Sequence, residues 1–325
     1  MALSKEQEKW LSDIGVKAEK AKQVPAELLT EEFWHATVRY SGLALEYVPE
    51  ELKTEAVCLT AVKNERYYET ALRFVPEAQK TEAVCLAAVQ HNGDALQLVP
   101  EALKTEAVCL AAVQKNGLAL KFVPNAKKTE AVCLAAVQIN SGALEYVPET
   151  LKTEAVCLAA VQKDGQNLQY IPDAAKTEEI CIEAMKHSRS SYINVYSQTV
   201  SSSHPLQLVP EELKTEAVCL AAVQNDSNAL GFVPDAVKTE AVCIAAVQKD
   251  GYRLKYVPDA LKTEAVCLAA VQNGSTDLMR YGHALQYVPD AQKTEAVCIE
   301  AVKKDKGAMQ YVPDAIKDAV KAAMK

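Results

Sequence analysis

The sequence lacks the features that mark a membrane protein or a nucleic-acid-binding protein. Its 325 residues contain no apolar run of the roughly 18 residues needed to cross a bilayer. The first 23 residues are charged throughout and carry no apolar signal-peptide segment. The net charge is -8 and the basic residues do not cluster, whereas phosphate-rich and anionic-membrane partners require basic patches. We therefore expect a soluble intracellular protein that binds neither nucleic acid nor membranes.

Signatures of catalysis are also missing. The chain has no Gly-rich phosphate loop, no G-x-S-x-G motif and no C-x-x-C pair. The histidines are His35, His91, His187, His204 and His283, and they share no position in any repeated pattern. His187 and His204 bracket one long insertion, which leaves an enzyme using residues 186–205 as a distant alternative. We expect no enzymatic activity, no cofactor and no metal ion.

A repeated segment dominates the chain. The sequence KTEAVCLAAVQ occurs six times, at Lys80, Lys104, Lys128, Lys152, Lys214 and Lys262. Thr-Glu pairs mark eleven repeats, most of them 24 residues apart, and a Val-Pro or Ile-Pro pair recurs in step. Because repeat architectures are built from one supersecondary unit stacked many times, this period decides the fold.

A single repeat predicts two helices and a turn. In TEAVCLAAVQKNGLALKFVPNAKK, Thr105 is a suitable helix N-cap and Glu106 favours the positive end of the helix dipole. Asn116-Gly117 is interpreted as the end of this helix, since glycine readily adopts the left-handed backbone conformation of a helix C-cap. A shorter helix follows, and Pro124 begins a turn.

The first helix of the repeat is apolar on nearly all sides, with charges only at its two ends. Such a helix must be covered by copies of itself in the neighbouring repeats. A buried strand in a leucine-rich repeat is disfavoured, because the alternating leucines and the asparagine ladder are missing and alanine pairs replace β-branched residues. The fold class we predict is all-α, an α-solenoid of about eleven repeats, each a longer helix plus a short one.

This repeat resembles a family found in bacteria, protists and large viruses that is known only as a domain of unknown function. The resemblance rests on the pattern L-K-T-[DE]…V..AV..[ND]G..L..[VI]P and covers roughly residues 24 to 317. It is also similar in form to the leucine-rich-variant superhelix. The resemblance implies a helical superhelix and no particular activity.

Every cysteine occupies the same position of the repeat. They are Cys58, Cys85, Cys109, Cys133, Cys157, Cys181, Cys219, Cys243, Cys267 and Cys298. Zinc needs converging ligands, and helices packed about 8–10 Å apart hold their Cα atoms too far apart for disulfides. We expect small buried side chains and a reducing cytoplasm, with secretion into a host cell left open.

Stacking turns each repeat position into a column of equivalent residues. Lysines, glutamates and the acids after each proline are expected to form a solvated edge with weak ion pairs. An aromatic column precedes the Val-Pro pairs: Tyr47, Phe74, Leu98, Phe122, Tyr146, Tyr170, Leu208, Phe232, Tyr256, Tyr287 and Tyr311. Because leucine replaces the ring twice, we interpret this column as core filling with hydroxyls near the surface.

Three insertions interrupt the repeat between its longer and its shorter helix: KNERYYET, KHSRSSYINVYSQTVSSSHP and NGSTDLMRYGH. Insertions at one repeat position project from one rim, which is often the binding face. The arginines and tyrosines in them are typical of interface hot spots. The candidate protein-binding residues are Arg66, Tyr67, Tyr68, Arg189, Tyr192, Tyr196, Arg280 and Tyr281. Surface loop growth without function is the alternative.

We expect an N-terminal capping helix at 1–23, a repeat solenoid at 24–317 with a large insert near 186–205, and a C-terminal cap at 318–325. Ser4 and Gln7 have the spacing of a capping box. The predicted function is a noncatalytic protein–protein interaction scaffold that binds through the rim insertions, the concave face or both. A structural subunit of a larger assembly or filament is the alternative, since near-identical repeats allow self-assembly.

Overall fold

A computed structural model of the chain describes residues 3–64, 70–188, 204–273 and 284–324. These residues form α-helices and 3₁₀ helices, and no β-strand occurs among them. Consecutive helices pack neighbour to neighbour, so the predicted all-α repeat solenoid is confirmed.

The α-helices of the described residues are α1 (Lys5–Val16), α2 (Glu31–Tyr40), α3 (Glu55–Lys63), α4 (Glu82–His91), α5 (Glu106–Lys115), α6 (Glu130–Ile139), α7 (Glu154–Val161), α8 (Glu178–Lys186), α9 (Glu216–Asn225), α10 (Glu240–Lys249), α11 (Glu264–Gln272), α12 (Glu295–Lys304) and α13 (Lys317–Ala323).

The longer 3₁₀ helices are Ala18–Gln23, Gly42–Tyr47, Ala71–Phe74, Gly93–Leu98, Gly117–Phe122, Ser141–Tyr146, Gly165–Tyr170, Pro205–Leu208, Ser227–Phe232, Gly251–Tyr256, Ala284–Tyr287 and Lys306–Tyr311. The three-residue 3₁₀ helices, which follow the prolines, are Ala26–Leu28, Glu50–Leu52, Glu77–Gln79, Glu101–Leu103, Asn125–Lys127, Glu149–Leu151, Asp173–Ala175, Glu211–Leu213, Asp235–Val237, Asp259–Leu261, Asp290–Gln292 and Asp314–Ile316.

The start of each repeat is set by its threonine. Thr105 has an extended backbone, and its Oγ1 accepts a hydrogen bond from the backbone N–H of Val108 at 3.3 Å. This bond satisfies one of the free donors at the first turn of α5. The predicted N-cap is therefore confirmed.

The end of α5 differs from the prediction. Asn116 has φ -143° and ψ 108°, and its side chain accepts from the N–H of Leu118 at 3.1 Å, so it caps the following 3₁₀ helix. Gly117 lies inside that 3₁₀ helix and not in a left-handed cap. The glycine serves close packing, because a Cβ at this position would lie 2.3 Å from the backbone oxygen of Ala136 in the next repeat.

The chain forms two compact units, which we call the N-terminal half (Met1–Ala160) and the C-terminal half (Val161–Lys325). In the N-terminal half each α-helix from α1 to α5 packs on the next, and in the C-terminal half the same holds from α8 to α12. The longer 3₁₀ helices form a second layer, each contacting its neighbours in the same half.

The core lies between these two layers. In the repeat that begins at Thr105, Val108, Cys109, Ala112 and Val113 of α5 are fully buried, as is Leu120 of the 3₁₀ helix. Burying a valine or leucine side chain stabilises the fold by about 1.5–3 kcal/mol. Since the same side chains are buried in copy after copy, the stack supplies the core that a single repeat lacks.

The predicted capping box is present at the N-terminus. Gln7 N–H donates to Ser4 Oγ at 3.2 Å, and Ser4 N–H donates to Gln7 Oε1 at 2.9 Å. The Gln7 amide also donates to the backbone oxygen of Leu28 at 2.9 Å, which ties α1 to the first repeat. Among the described residues, none of the helices combines the length and apolar character needed to span a membrane.

Candidate functional site

The sequence-predicted binding residues on the insertions lie outside the described residues. They are Arg66, Tyr67, Tyr68, Arg189, Tyr192, Tyr196, Arg280 and Tyr281. The elements that flank them are described: α3 ends before the first insertion and the 3₁₀ helix Ala71–Phe74 follows it. Each insertion leaves its repeat between the α-helix and the longer 3₁₀ helix, as the sequence predicts.

Both ends of the longest insertion are held by the following repeat. The Asn225 side-chain amide donates to the backbone oxygens of Met185 and Ser188, at 2.9 and 2.7 Å. At the other end, the His204 ring stacks on Phe232 with 5.8 Å between centroids. These contacts fix where the insertion leaves and rejoins the C-terminal half.

His204 has a structural role in this arrangement. Its Nδ1 accepts from the N–H of Leu206 at 3.1 Å, so this nitrogen caps a 3₁₀ helix. Burial lowers the pKa of His204, and the nearby Asp226 carboxylate opposes that shift. His187, at the other side of the insertion, is exposed and its Nε2 lies 3.5 Å from Glu183.

The charged edge predicted for the repeat is less solvated than expected. The Lys104 side chain is only 8 % exposed, although its partner Glu101, with Nζ to Oε1 at 2.6 Å, is 74 % exposed. Lys104 Nζ also donates to the backbone oxygen of Phe122 in the next repeat, at 3.3 Å. The expectation of a solvated lysine edge is therefore wrong, because the aliphatic stem is covered and the ammonium binds a carbonyl oxygen.

The same lysine position recurs with the same geometry. The pairs are Lys53–Glu50, Lys80–Glu77, Lys104–Glu101, Lys176–Asp173, Lys214–Glu211, Lys238–Asp235, Lys262–Asp259 and Lys293–Asp290. Lys128, whose acid position is Asn125, donates to the backbone oxygen of Tyr146 at 2.8 Å. Lys104, Lys128 and Lys176 each donate to a carbonyl oxygen of the following repeat, so these lysines connect repeats.

The aromatic column lies at the surface and not in the core. Phe232 and Tyr256 are each 39 % exposed, and the other members are half-buried. In the 3₁₀ helix Gly117–Phe122 the buried residues are Gly117, Ala119 and Leu120, and the following Val123 is buried as well. Core filling by the aromatic column is thus a wrong interpretation, since the smaller neighbours already fill the core.

Cations lie over several of these rings. Lys22 Nζ is 5.1 Å from the Tyr47 ring centroid, and Lys121 Nζ is 4.7 Å from that of Phe122. Arg73 lies 6.0 Å from the Phe74 ring. Tyrosine and arginine are enriched in interface hot spots, and a cation over an exposed ring is attracted to it by about 0.5–1 kcal/mol.

The densest such group lies in the C-terminal half. Lys255 Nζ donates to the Tyr252 hydroxyl at 3.0 Å and lies 4.1 and 4.5 Å from the ring centroids of Tyr252 and Tyr256. The Tyr252 and Tyr287 rings meet edge to face, with centroids 5.4 Å apart. Hydrogen bonds from Lys255 and from Tyr287 lower the pKa of Tyr252. We call Tyr252, Arg253, Lys255, Tyr256 and Tyr287 the tyrosine–lysine cluster.

Reasoning from insertions missed this cluster, because the repeat that carries Tyr252 and Arg253 has the regular length. The sequence feature that marks the cluster is a substitution inside the repeat. Its 3₁₀ helix reads GYRLKY where the repeat at Gly117 reads GLALKF, so arginine replaces a buried alanine. A position-by-position comparison of the repeats would have found it.

The ten cysteines are free thiols, and all are buried. The Cys157 Sγ donates to the backbone oxygen of Lys152 at 3.5 Å, and Cys109 makes the same contact with Lys104 at 3.7 Å. Burial raises the pKa of Cys157 to about 11, although Lys152 opposes the shift. A thiol with a raised pKa is a weak nucleophile. Among the described residues, no group of three or more His, Cys, Asp or Glu is arranged to hold a metal ion.

One comparison with known proteins gives a match. A family model described as a domain of unknown function (DUF4116) matches residues 82–126 and 129–174. No curated protein and no solved structure matches this chain. The chain is therefore similar, over these two adjacent segments, to a repeat family of unknown function, whereas the motif pattern and its extension to residues 24–317 stay predictions.

Proposed function

We propose that the protein is a noncatalytic scaffold that binds other proteins. The observation that carries this proposal is the aromatic column, in which partly exposed rings occur in nine of the eleven repeats and cations lie over several of them. Large rings bring apolar contact area at low entropic cost, which makes them effective anchors for a protein partner. The proposal includes the predicted residues of the insertions, because each insertion rejoins the described chain a few residues before a member of the column.

The internal bonding of the repeats supports a rigid scaffold. The hydroxyls of eight threonine N-caps reach a glutamate of the preceding repeat. Lys104, Lys128 and Lys176 each reach a carbonyl oxygen of the following repeat. Side chains that form hydrogen bonds between repeats hold neighbouring surface positions at a fixed spacing. A fixed spacing lowers the entropy that a partner loses when it binds several repeats at once.

A capture experiment tests the proposal. The full chain is immobilised and exposed to extract from its native cells. The bound proteins are then quantified for wild type and for the double variant Phe122→Ala and Tyr146→Ala. Exposed Gln114→Ala with Gln138→Ala, on the outer face of α5 and α6, is the matched control. We expect the ring variants to lose a specific partner that the control retains. Equal capture by both would contradict a role for the aromatic column.

A second variant set addresses the insertions. Shortening all three to the 24-residue repeat should reduce capture if the predicted rim residues bind the partner. Unchanged capture would show that the insertions are surface loops. The alternative of a structural subunit predicts a different result. The molar mass of the purified chain, measured by light scattering, should increase with concentration, whereas the mass of a scaffold should stay constant.

A further inference from the structure

A periodic binding surface leaves the position of its partner undefined. Phe122 and Tyr146 occupy equivalent positions of successive repeats in the N-terminal half, as do Phe232 and Tyr256 in the C-terminal half. A partner that contacts only repeated residues gains similar free energy when it is shifted by one repeat. Specific binding therefore needs a position that differs from its neighbours.

The tyrosine–lysine cluster is such a position. Arg253 is 7 % exposed and stands where Ala119 is fully buried in the repeat that begins at Thr105. Its guanidinium Nη2 lies 2.8 Å from Asp250 Oδ2, and its Nε has no hydrogen-bond partner among the described residues. Burying an arginine costs free energy that alanine avoids, so stacking of the repeats does not account for it.

The carboxylates near the cluster already have cationic partners. The Asp250 carboxylate forms an ion pair with Arg253, and the Asp259 carboxylate lies 2.8 Å from Lys262 Nζ. Lys255 lies between two tyrosine rings and forms no ion pair among the described residues. Among the described residues, the cluster thus holds the Lys255 cation and hydroxyl groups but no carboxylate that pairs with this cation.

We infer that the tyrosine–lysine cluster binds an aspartate or glutamate side chain of the partner protein and so fixes the register in which the partner lies on the repeats. The carboxylate accepts a hydrogen bond from the Lys255 ammonium, and the rings of Tyr256 and Tyr287 cover the adjacent apolar part of the partner. A charge-assisted hydrogen bond beside aromatic rings is stronger than one in open water. The inference rests on the proposed function in one respect, that the chain binds proteins.

The probe is a displayed library of random peptides selected on the full chain. The frequency of Asp and Glu in the enriched peptides is compared with the starting library. One enriched peptide and its amide version, with Asp→Asn or Glu→Gln, are then measured by fluorescence anisotropy. A photo-crosslinking copy of the acidic peptide reports where it lies on the repeats.

Two variants remove the cluster without harming the fold. Tyr252→Leu with Arg253→Ala gives this 3₁₀ helix the residues found at Leu118 and Ala119, which the fold already accommodates. Lys255→Gln removes the cation. Lys303→Gln is the matched control, because Lys303 is an exposed lysine of the same half whose Nζ lies 2.8 Å from Glu300 Oε1, away from the aromatic column.

We expect acidic residues to be enriched in the selected peptides. The amide peptide, the double variant and Lys255→Gln should each weaken binding about tenfold or more, whereas Lys303→Gln should change it less than about twofold. Crosslinks should map to the residues of the tyrosine–lysine cluster in the native chain and spread over several repeats in the double variant.

The inference is overturned if no acidic peptide is enriched, if acid and amide versions bind equally, or if the two lysine variants behave alike. Peptides that bind the aromatic column but ignore the tyrosine–lysine cluster would also overturn it. In that last case the proposed scaffold function stands, because binding to the column is retained.

Discussion

Thr105 Oγ1 lies 2.9 Å from Glu82 Oε1, so the residue that caps α5 also donates a hydrogen bond to the first residue of α4. The same link recurs along both halves, in Thr81–Glu55, Thr129–Glu106, Thr153–Glu130, Thr215–Glu178, Thr239–Glu216, Thr263–Glu240 and Thr294–Glu264. One side chain thus accepts from its own helix and donates to the neighbouring repeat. This double use gives a physical reason for the Thr-Glu pair in the repeats that these bonds join.

Replacing Thr105 by alanine should lower the free energy of unfolding by about 1 kcal/mol or somewhat more, because it removes an N-cap and an inter-repeat hydrogen bond together. Thr105→Ser keeps the hydroxyl and should retain most of the stability. The shift of the urea unfolding midpoint measures both. A serine variant as unstable as the alanine variant would show that the hydroxyl contributes little.

Gly117→Ala should destabilise the N-terminal half by about 1–3 kcal/mol, since the new methyl would lie 2.3 Å from the backbone oxygen of Ala136. Gly231→Ala is the control, because no atom lies within 4 Å of a Cβ built there. The control should change stability by less than about 0.5 kcal/mol. Thermal unfolding followed by circular dichroism compares the two, and similar losses would refute the close-packing role.

Lys104→Ala should cost more stability than Glu101→Ala. The lysine side chain is 8 % exposed and bonds to the Phe122 carbonyl oxygen, whereas the glutamate is 74 % exposed. Losing the covered stem and that bond should cost about 1–2 kcal/mol, and losing the exposed acid less than about 1 kcal/mol. Chemical denaturation of both variants measures the difference. The reverse order would mean that the ion pair, and not the carbonyl contact, holds the lysine.

Stability should fall as pH rises through the alkaline range. Burial raises the pKa of Cys157 and of Cys243 to about 11 from 9.0, so between these values the unfolded chain loses thiol protons that the folded chain keeps. The unfolded state then binds fewer protons, and the free energy of unfolding decreases with pH. The stability that the two buried, protonated thiols contribute is fully present below pH 9 and is lost as the pH approaches 11.

Urea midpoints at neutral pH and near pH 10 measure this effect. The variant Cys157→Ala with Cys243→Ala should show a smaller pH-dependent loss than the native chain, since two titrating thiols are gone. Thiol-labelling rates give an independent check, because the buried thiols should react slowly until urea unfolds the chain. Rapid labelling of the folded protein at neutral pH would contradict the burial argument.

Much of the fold follows from local sequence. Thr105 marks where α5 begins, and Pro124 marks the turn before the next repeat, because capping and proline chemistry act within a few residues. The burial of Cys109 also follows, since an apolar helix repeated many times must be covered by its copies.

Other features required knowledge of distances between repeats. From sequence alone, Gly117 is interpreted as a left-handed cap and Lys104 as a solvated edge, although both are shaped by atoms of the next repeat, the oxygens of Ala136 and Phe122. The aromatic column is interpreted as core for a similar reason. Its exposure depends on which side of the 3₁₀ helix faces the α-helical layer.

The sequence by itself determined the repeat period, the all-α class and the start of each threonine-capped α-helix, because these depend on short-range capping and on the hydrophobic period. Only the tertiary structure decided which polar side chains connect repeats and which aromatic rings reach the surface. It also brought Tyr252 beside Tyr287, from the next repeat, because contacts between repeats depend on how the helices stack.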